Sequence, residues 1–528
     1  MQRQTGLATA SLLVLLAGAG LHVVAGYSGA PATSIHAQGT DDAYITYRYA
    51  ANLALGEGLV FNRGERVEGF SSLFHVLLLA PILAVAPRAW AYPAASLANL
   101  GFLALAFLLA VRAVERRFGS AESRALAVVL SLCPQLWLWA ASGMESIAVV
   151  ALQVWLWLAV EEVEARETDA RAWLGLAAGT VAAVGLRAEG FLFPLPGVIY
   201  LLLRGRRRAA LRLGALAALS TAALLTWRLA YYGALLPNTY YAKVSGPLAD
   251  RIAVAARQLA EVLLHQGFAL PLLALAFGLA RSAAISLRGR SLRGTQWTYP
   301  GIFGAWLLLY WFYVGGDHFG ERFLLILLPL GFVAMLQLLA EGSAFRGPAR
   351  GRALVVLALV VASLQLPPLL QDRRFAYRYP RYDGWIELGR LLGENYPHDT
   401  WLATGAAGKV PFYSRLPTFD LGGLTEPRLA RTKVAFFRNP GHDKVDPSYA
   451  LARRPDLIAH WILPDLSLAN GLERDAYLAS GYRLRYLLQV SRSPAGEHLV
   501  DVSALEEDAI RQRVGAGYAF AVLERTRP

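Results

Sequence analysis

Leu7-Ala8-Thr9-Ala10-Ser11-Leu12-Leu13-Val14-Leu15-Leu16-Ala17-Gly18-Ala19-Gly20-Leu21-His22-Val23-Val24-Ala25-Gly26 carries no ionisable side chain except His22. A run of this length crosses a hydrocarbon layer of about 30 Å as a helix. A short polar step later the chain reads Asp41-Asp42-Ala43-Tyr44-Ile45-Thr46-Tyr47-Arg48-Tyr49, which sets two adjacent carboxylates just beyond that helix. Apolar residues make up 55% of the 528, and further apolar runs follow, which places the chain among polytopic membrane proteins.

The formal net charge of +13 comes from 51 Lys and Arg against 38 Asp and Glu, a balance that in a soluble chain raises the question of a nucleic-acid partner. The location of the arginines answers it: no nucleic acid is implied. They gather between apolar runs as Arg116, Arg117 and Arg124; Arg204, Arg206, Arg207 and Arg208; Arg281, Arg288, Arg290 and Arg293; and Arg346, Arg350 and Arg352. This is the positive-inside pattern, so these loops are read as cytoplasmic. With Arg3 inside, the expected spans are 7–26, 93–111, 125–141, 144–160, 172–187, 189–203, 209–229, 262–280, 300–316, 322–340 and 353–370, about eleven helices. The apolar piece Leu73 to Ala86 is short for a crossing and is read as half-inserted or surface-lying within a first outer loop, 27–92. A full crossing there would turn every later arginine cluster outward. The single cysteine, Cys133, excludes an intramolecular disulfide.

In this register several outer connections are short and carry charged or aromatic residues. They are Ser142-Gly143-Met144-Glu145-Ser146, Arg187-Ala188-Glu189-Gly190, the stretch from Tyr231 to Lys243, and Gly315-Gly316-Asp317-His318-Phe319-Gly320-Glu321-Arg322. Ionisable groups at membrane depth are costly and face a cavity or a partner. The candidate chemistry therefore lies on the outer face. From 371 no apolar run is long enough to span, and short apolar runs (Trp401 to Thr404, Leu457 to Ile462, Tyr518 to Leu523) alternate with helical stretches such as Trp385 to Glu394. The expected organisation is a transmembrane domain, 1–370, and an extracytoplasmic soluble α/β domain, 371–528. No internal repeat, P-loop, zinc-spaced Cys and His set or Gly-x-Ser-x-Gly elbow is present in the sequence.

Four islands then take on meaning in order: Asp41-Asp42 through Asn62-Arg63-Gly64-Glu65-Arg66-Val67-Glu68-Gly69-Phe70; Leu236-Pro237-Asn238-Thr239-Tyr240-Tyr241-Ala242-Lys243; Gly315-Gly316-Asp317; and Asp420-Leu421-Gly422-Gly423-Leu424-Thr425-Glu426-Pro427. Together they resemble the GT-C superfamily of polytopic glycosyltransferases, and most closely the mycobacterial terminal arabinofuranosyltransferase of cell-wall arabinan and its bacterial relatives. Glu426 stands where relatives often carry Asp, which keeps the charge. The resemblance implies a GT-C-like helical membrane fold and an enzyme of the cytoplasmic (inner) membrane. It would transfer a sugar, with inversion, from a polyprenyl-phosphate donor to an envelope glycan, lipid or protein acceptor. Its active site and C-terminal domain would be extracytoplasmic, in contact with membrane lipids.

Such a reaction needs a base for the acceptor hydroxyl and positive charge for the departing phosphate. Asp41 or Asp42 is the candidate base; as sequence neighbours their side chains diverge, so only one points at the acceptor. The pair would equally suit a helix N-terminus. Lys243 and Arg322 are candidates for the donor phosphate, and Arg48 for orientation or substrate contact. Asp317 and His318 would form a second wall, unless Asp317 simply pairs with Arg322. Glu145, Arg187 and Glu189 fit either substrate contact or a buried interhelical pair, and Tyr240 either stacking or an aromatic belt. Lys409, Asp420, Glu426 and His442 are weaker candidates for the acceptor. No cofactor is implied for certain; a divalent cation (Mg2+, Mn2+ or Ca2+) at Asp41, Asp42 and Asp317 would suit hard oxygen ligands. The alternative from another class is a lipid-linked glycan transporter or flippase, which would call for paired half-helices or an inverted repeat.

Overall fold

The structure is a computed structural model that describes residues 2–28, 38–265, 267–288, 298–341, 350–364, 384–490, 498–515 and 518–526. Arg290, Arg293 and Arg346, residues 365–370 of the last expected span, and the expected 370/371 domain boundary lie outside the described residues.

Among the described residues sixteen α-helices precede residue 365: α1 (Gln2–Ser28), α2 (Asp41–Ala54), α3 (Leu73–Val85), α4 (Ala91–Phe118), α5 (Ser120–Ser131), α6 (Pro134–Ala140), α7 (Ser146–Ala165), α8 (Ala170–Leu186), α9 (Leu195–Leu203), α10 (Arg207–Tyr232), α11 (Asn238–Lys243), α12 (Leu248–His265), α13 (Ala269–Leu287), α14 (Thr298–Val314), α15 (Leu328–Glu341) and α16 (Arg350–Ser363). Every expected span overlies a helix or bent helix pair in this order. Five of them, Gly6–Val24, Arg88–Phe118, Ser146–Ala165, Arg207–Tyr232 and Ala269–Leu287, are long and apolar enough to cross a membrane unaided, and α5 with α6 makes a sixth if taken as one span bent by 56°. Ala170–Leu186, Gly190–Leu203, Leu324–Leu339 and Ala353–Ser363 are shorter apolar helices, below the roughly 20 residues a straight crossing takes. One expectation shifts. The span placed at 262–280 begins instead at Ala269, because amphipathic α12 takes the stretch up to His265. Leu73–Val85 is the short apolar helix foreseen, started by Ser72, whose hydroxyl accepts from the His75 amide at 3.2 Å.

The helices pack through faces set by their own periodicity. In α4 the buried set Ala95, Asn99, Leu103, Ala106, Phe107, Ala110 and Val114 recurs every three or four residues, one stripe of a 3.6-residue helix.

From Gly384 the chain forms a mixed six-stranded sheet with short helices. Its elements are α17 (Gly384–Asn395), β1 (Leu402–Thr404), α18 (Lys409–Ser414), β2 (Thr418–Asp420), α19 (Pro427–Ala430), α20 (Pro447–Ala452), β3 (Leu457–Ile462), α21 (Arg474–Ala479), β4 (Tyr482–Val490), β5 (Leu499–Asp501), α22 (Glu507–Gly515) and β6 (Tyr518–Arg525). The strand order is β2-β1-β3-β6-β4-β5. β1 runs parallel to β2 and β3, and the remaining pairs are antiparallel. Alternate residues feed opposite faces: Ile458, Ala521 and Leu523 enter one core, while Leu457, Ala459, Phe520 and Val522 enter another with Leu388 and Leu392 of α17. The helical membrane fold with a C-terminal α/β unit is thus present as expected.

Candidate active site

Asp41 and Asp42 occupy the first turn of α2, behind Thr40 at the N-cap, where carboxylates meet the positive end of the helix dipole. Their side chains part company. Asp41 turns to the C-terminal domain, where Oδ2 accepts from the Gly408 amide at 3.0 Å and Oδ1 from the Lys409 amide at 2.7 Å. A Cβ at 408 would lie 1.9 Å from the Asp41 carbonyl oxygen, so only glycine permits this approach. Burial, which outweighs the help of the Lys409 amide and charge, raises the Asp41 carboxyl to about 7. Asp42, by contrast, accepts no hydrogen bond from any described residue and acts electrostatically on Lys243 and His442.

Around Asp41 a seam joins the two parts of the chain. Arg48, buried, donates from Nε to Phe61 O (2.8 Å), from Nη1 to Pro411 O (2.7 Å), and from Nη2 to Leu416 O (2.8 Å) and Asn62 Oδ1 (3.1 Å). Asn62 in turn pairs with the Thr418 backbone, donating at 2.8 Å and accepting at 2.9 Å. Lys409, fully buried, donates Nζ to Gly39 O at 2.9 Å. Lys444 donates to Tyr241 O (2.7 Å) and to Ala430 O. Asp420 folds its own loop by accepting from the Gly422 and Thr425 amides, both at 2.8 Å. That loop offers the Gly423 and Leu424 carbonyls to Asn238 Nδ2 at 2.9 and 3.0 Å.

The second cluster lies where α8, α11, α14 and the 315–323 turn meet. Gly315 and Gly316, at φ of 89° and 85°, take a left-handed path that glycine adopts without a Cβ clash, and this reverses the chain onto Asp317. Arg322 Nη2 donates to Asp317 Oδ1 at 2.6 Å. Arg187 donates from Nη1 to Glu145 at 2.5 Å and from Nε to Glu189 at 2.7 Å. A cavity of about 60 Å3 is lined by Arg187, Glu189, Tyr240, Lys243, Asp317 and Arg322 among others. Lys243 is half-buried and makes no hydrogen bond with any described residue. Burial, and then the Arg322 charge, lower its pKa, while Asp42 and Asp317 oppose them. For Asp317, burial acts upward but Arg322 and Lys243 prevail and hold its carboxyl below the usual range. His318 and His442 stack with ring centroids 4.0 Å apart, and His318 Nδ1 lies 3.0 Å from Asn439 Oδ1.

The sequence expectations divide along this line. Asp42, Lys243, Tyr240, Asp317, His318, Arg322 and His442 fall in one neighbourhood. Arg48 does not act there: four of its N–H groups are held by carbonyls and Asn62, so its expected role in substrate contact gives way to one in the seam. Lys409 and Asp420 likewise bind backbone rather than present a surface to an acceptor, and Glu426 caps α19, accepting from Arg428 N (3.3 Å) and Tyr449 Oη (3.1 Å). Glu145, Arg187 and Glu189 form the buried ion cluster, and Asp317 with Arg322 the local pair. The three carboxylates proposed for a cation do not converge, since Asp41 is held by amides and Asp317 by Arg322. Among the described residues no three His, Cys, Asp or Glu side chains group as a metal site. Sequence reading missed the buried pair Glu68–Arg228, with Arg228 Nε 3.0 Å from Oε1. Glu68 sits inside the first island, and its apolar neighbours Val67 and Phe70 are the only local hint of burial.

A family model described as a domain of unknown function (DUF8728) matches residues 373–503. No curated protein matches the sequence. Among solved structures, the oligosaccharyltransferase of Archaeoglobus fulgidus, in complex with Zn and sulfate, is similar at 11% identity and a TM-score of 0.53, covering 90% of this chain and 72% of that one. The same enzyme tethered to an acceptor peptide containing the NVT sequon covers 95% and 75%, again at 11% and 0.53. ArnT from Cupriavidus metallidurans in the apo state gives 12% identity and a TM-score of 0.50 over 98% of both chains. The likeness is one of fold alone.

Proposed function

We propose that this protein is an integral-membrane glycosyltransferase that moves a sugar from a polyprenyl-phosphate donor to an envelope glycan, lipid or protein acceptor. It acts on the outer face of the cytoplasmic membrane. One observation carries the reading: Lys243 lines the cavity within the field of Asp42, and neither makes a hydrogen bond with a described residue, while Arg187, Glu145, Glu189, Asp317 and Arg322 around them are paired. The GT-C fold supports it. In the reaction Asp42 takes the proton of the acceptor hydroxyl as that oxygen bonds to the anomeric carbon. The bond from that carbon to the phosphate oxygen breaks, and polyprenyl phosphate leaves against Lys243, with Arg322 behind it. Attack opposite the leaving group inverts the anomeric centre.

General-base help of this kind contributes about 10²–10⁴-fold. A cavity of about 60 Å3 is on the scale of one small group, so donor entry requires the turn at 315–322 and the loop at 439–444 to move apart. No step is assigned to a cation. The test is purified protein in vesicles with a panel of polyprenyl-phosphate sugars, arabinofuranosyl first, and a membrane extract as acceptor. Stoichiometric release of polyprenyl phosphate with sugar appearing on the acceptor supports the assignment. Donor binding without release, with every sugar of the panel, contradicts it.

A further inference from the structure

A second cavity, of about 590 Å3, opens where α2, the turn after Phe61, the end of α3 and the segment around Arg415 come together. It shares no lining residue with the cavity beside Lys243. Arg48, Arg63, Arg88 and Arg415 line it, against one carboxylate, Asp399. Glu57 pairs with Arg63 at 2.5 Å. These arginines come from separate segments, so the fold rather than a basic run gathers them, and Arg88 feels the repulsion of both Arg415 and Arg63. Collecting like charges in a cleft costs Coulomb energy and focuses a positive potential there.

Protein groups account for only part of the cluster. Arg48 is held as described, and Arg88 donates to Phe412 O at 2.7 Å. Arg415 has neither hydrogen-bond nor ion-pair partner for its guanidinium among the described residues, and its backbone stands at φ of 62°, where a residue with a Cβ is strained. The Arg63 side chain is 80% exposed. The flank of the same cavity is apolar. Leu55 and Leu83 line it, and Leu55, Val85 and Trp90 are exposed at 62%, 89% and 56%. Guanidinium forks grip phosphate in two-point fashion, and an apolar shelf with a Trp beside them is the arrangement of a membrane interface.

We infer that this cavity binds the phosphate oxyanions of an anionic membrane amphiphile, with the headgroup on Arg63, Arg88 and Arg415 and the chains along Leu55, Leu83 and Val85. A soluble phosphate would use the same guanidinium groups and leave the apolar shelf unused. The ligand would brace the seam from outside, since its grips belong to both parts of the chain.

The test takes full-length protein in neutral detergent and titrates phosphatidylglycerol, phosphatidylcholine and inorganic pyrophosphate separately, reading retained lipid by native mass spectrometry and the melting temperature. The variants are Arg63→Gln/Arg415→Gln, whose side chains have no place in the seam, and Arg474→Gln/Arg511→Gln, a distant pair removing the same charge. The expected result is phosphatidylglycerol retained by wild type and by the distant variant, with a rise in melting temperature and no response to phosphatidylcholine. Affinity should fall roughly tenfold for each cavity guanidinium removed. Equal retention in both variants would overturn the site, and a response to pyrophosphate alone would overturn the membrane as the ligand's source.

Discussion

Two regions that adjoin at the neighbouring residues Asp41 and Asp42 treat polar groups in opposite ways. In the seam, Asp41, Arg48, Asn62, Lys409 and Lys444 are held by backbone groups of the facing part of the chain. At the cavity, Lys243 feels the field of Asp42, and neither makes a hydrogen bond with a described residue. Buried polar groups need partners to offset desolvation, so the seam reads as structure. Unpartnered opposite charges beside a cavity read as groups kept ready for a ligand. The difference teaches that a motif can be divided between roles at the level of single side chains, since Asp41 and Asp42 are sequence neighbours.

The comparison can be broken first at Arg48. Arg48→Met removes four charge-assisted hydrogen bonds, to the Phe61, Pro411 and Leu416 carbonyls and to Asn62 Oδ1, each worth about 1.5–3 kcal/mol, although the carbonyls keep second donors in Asn52 Nδ2, Arg415 N and Thr418 Oγ1. The expected outcome is a large fall in melting temperature, and an unchanged melting curve would show that the seam does not hold the two parts together. The next effect is a dependence on pH. Asp41 titrates at about 7 in the folded protein against 3.8 ordinarily, so the stability it contributes is full below about 4 and is lost as pH rises through 7. The gap in melting temperature between wild type and Asp41→Asn should therefore narrow over that window, and a gap that widens would contradict the assignment.

On the cavity side, Lys243→Met should raise the half-saturating donor concentration roughly 10–100-fold, the equivalent of one charged hydrogen bond. Its melting temperature should hold or rise, because a half-buried cation is removed. The smallest effect is expected at Tyr240→Phe. Its hydroxyl meets the Tyr313 hydroxyl at 2.7 Å in an exposed position, so stability should change by less than about 1 kcal/mol and turnover by only a few-fold. A loss as large as that of Lys243→Met would move Tyr240 into the group that grips the donor.

Much of the fold was legible because membrane helices and buried strands announce themselves locally. Leu457–Ile462 reads as a strand from its apolar run and is β3 to the residue, and the helical stretch Trp385 to Glu394 lies within α17. β4, Tyr482–Val490, escaped because its Arg residues alternate with Tyr and Leu, so a search for apolar runs passes over it. The site was half legible. That the two carboxylates diverge follows from elementary geometry, but which one faces a substrate depends on Gly408, 367 residues from Asp41. Arg48 was misplaced for the same reason: its partner Pro411 lies 363 residues away, and no local pattern encodes that approach.

The most direct test of the account is single-turnover transfer from a polyprenyl-phosphate sugar, measured side by side in Asp41→Asn and Asp42→Asn with the melting temperature of each. The account predicts that Asp42→Asn melts as wild type does and loses about 10²–10⁴-fold in the transfer rate, while Asp41→Asn melts earlier and, where folded, transfers at a rate close to wild type. A stable Asp41→Asn with no transfer, beside a fully active Asp42→Asn, would contradict it.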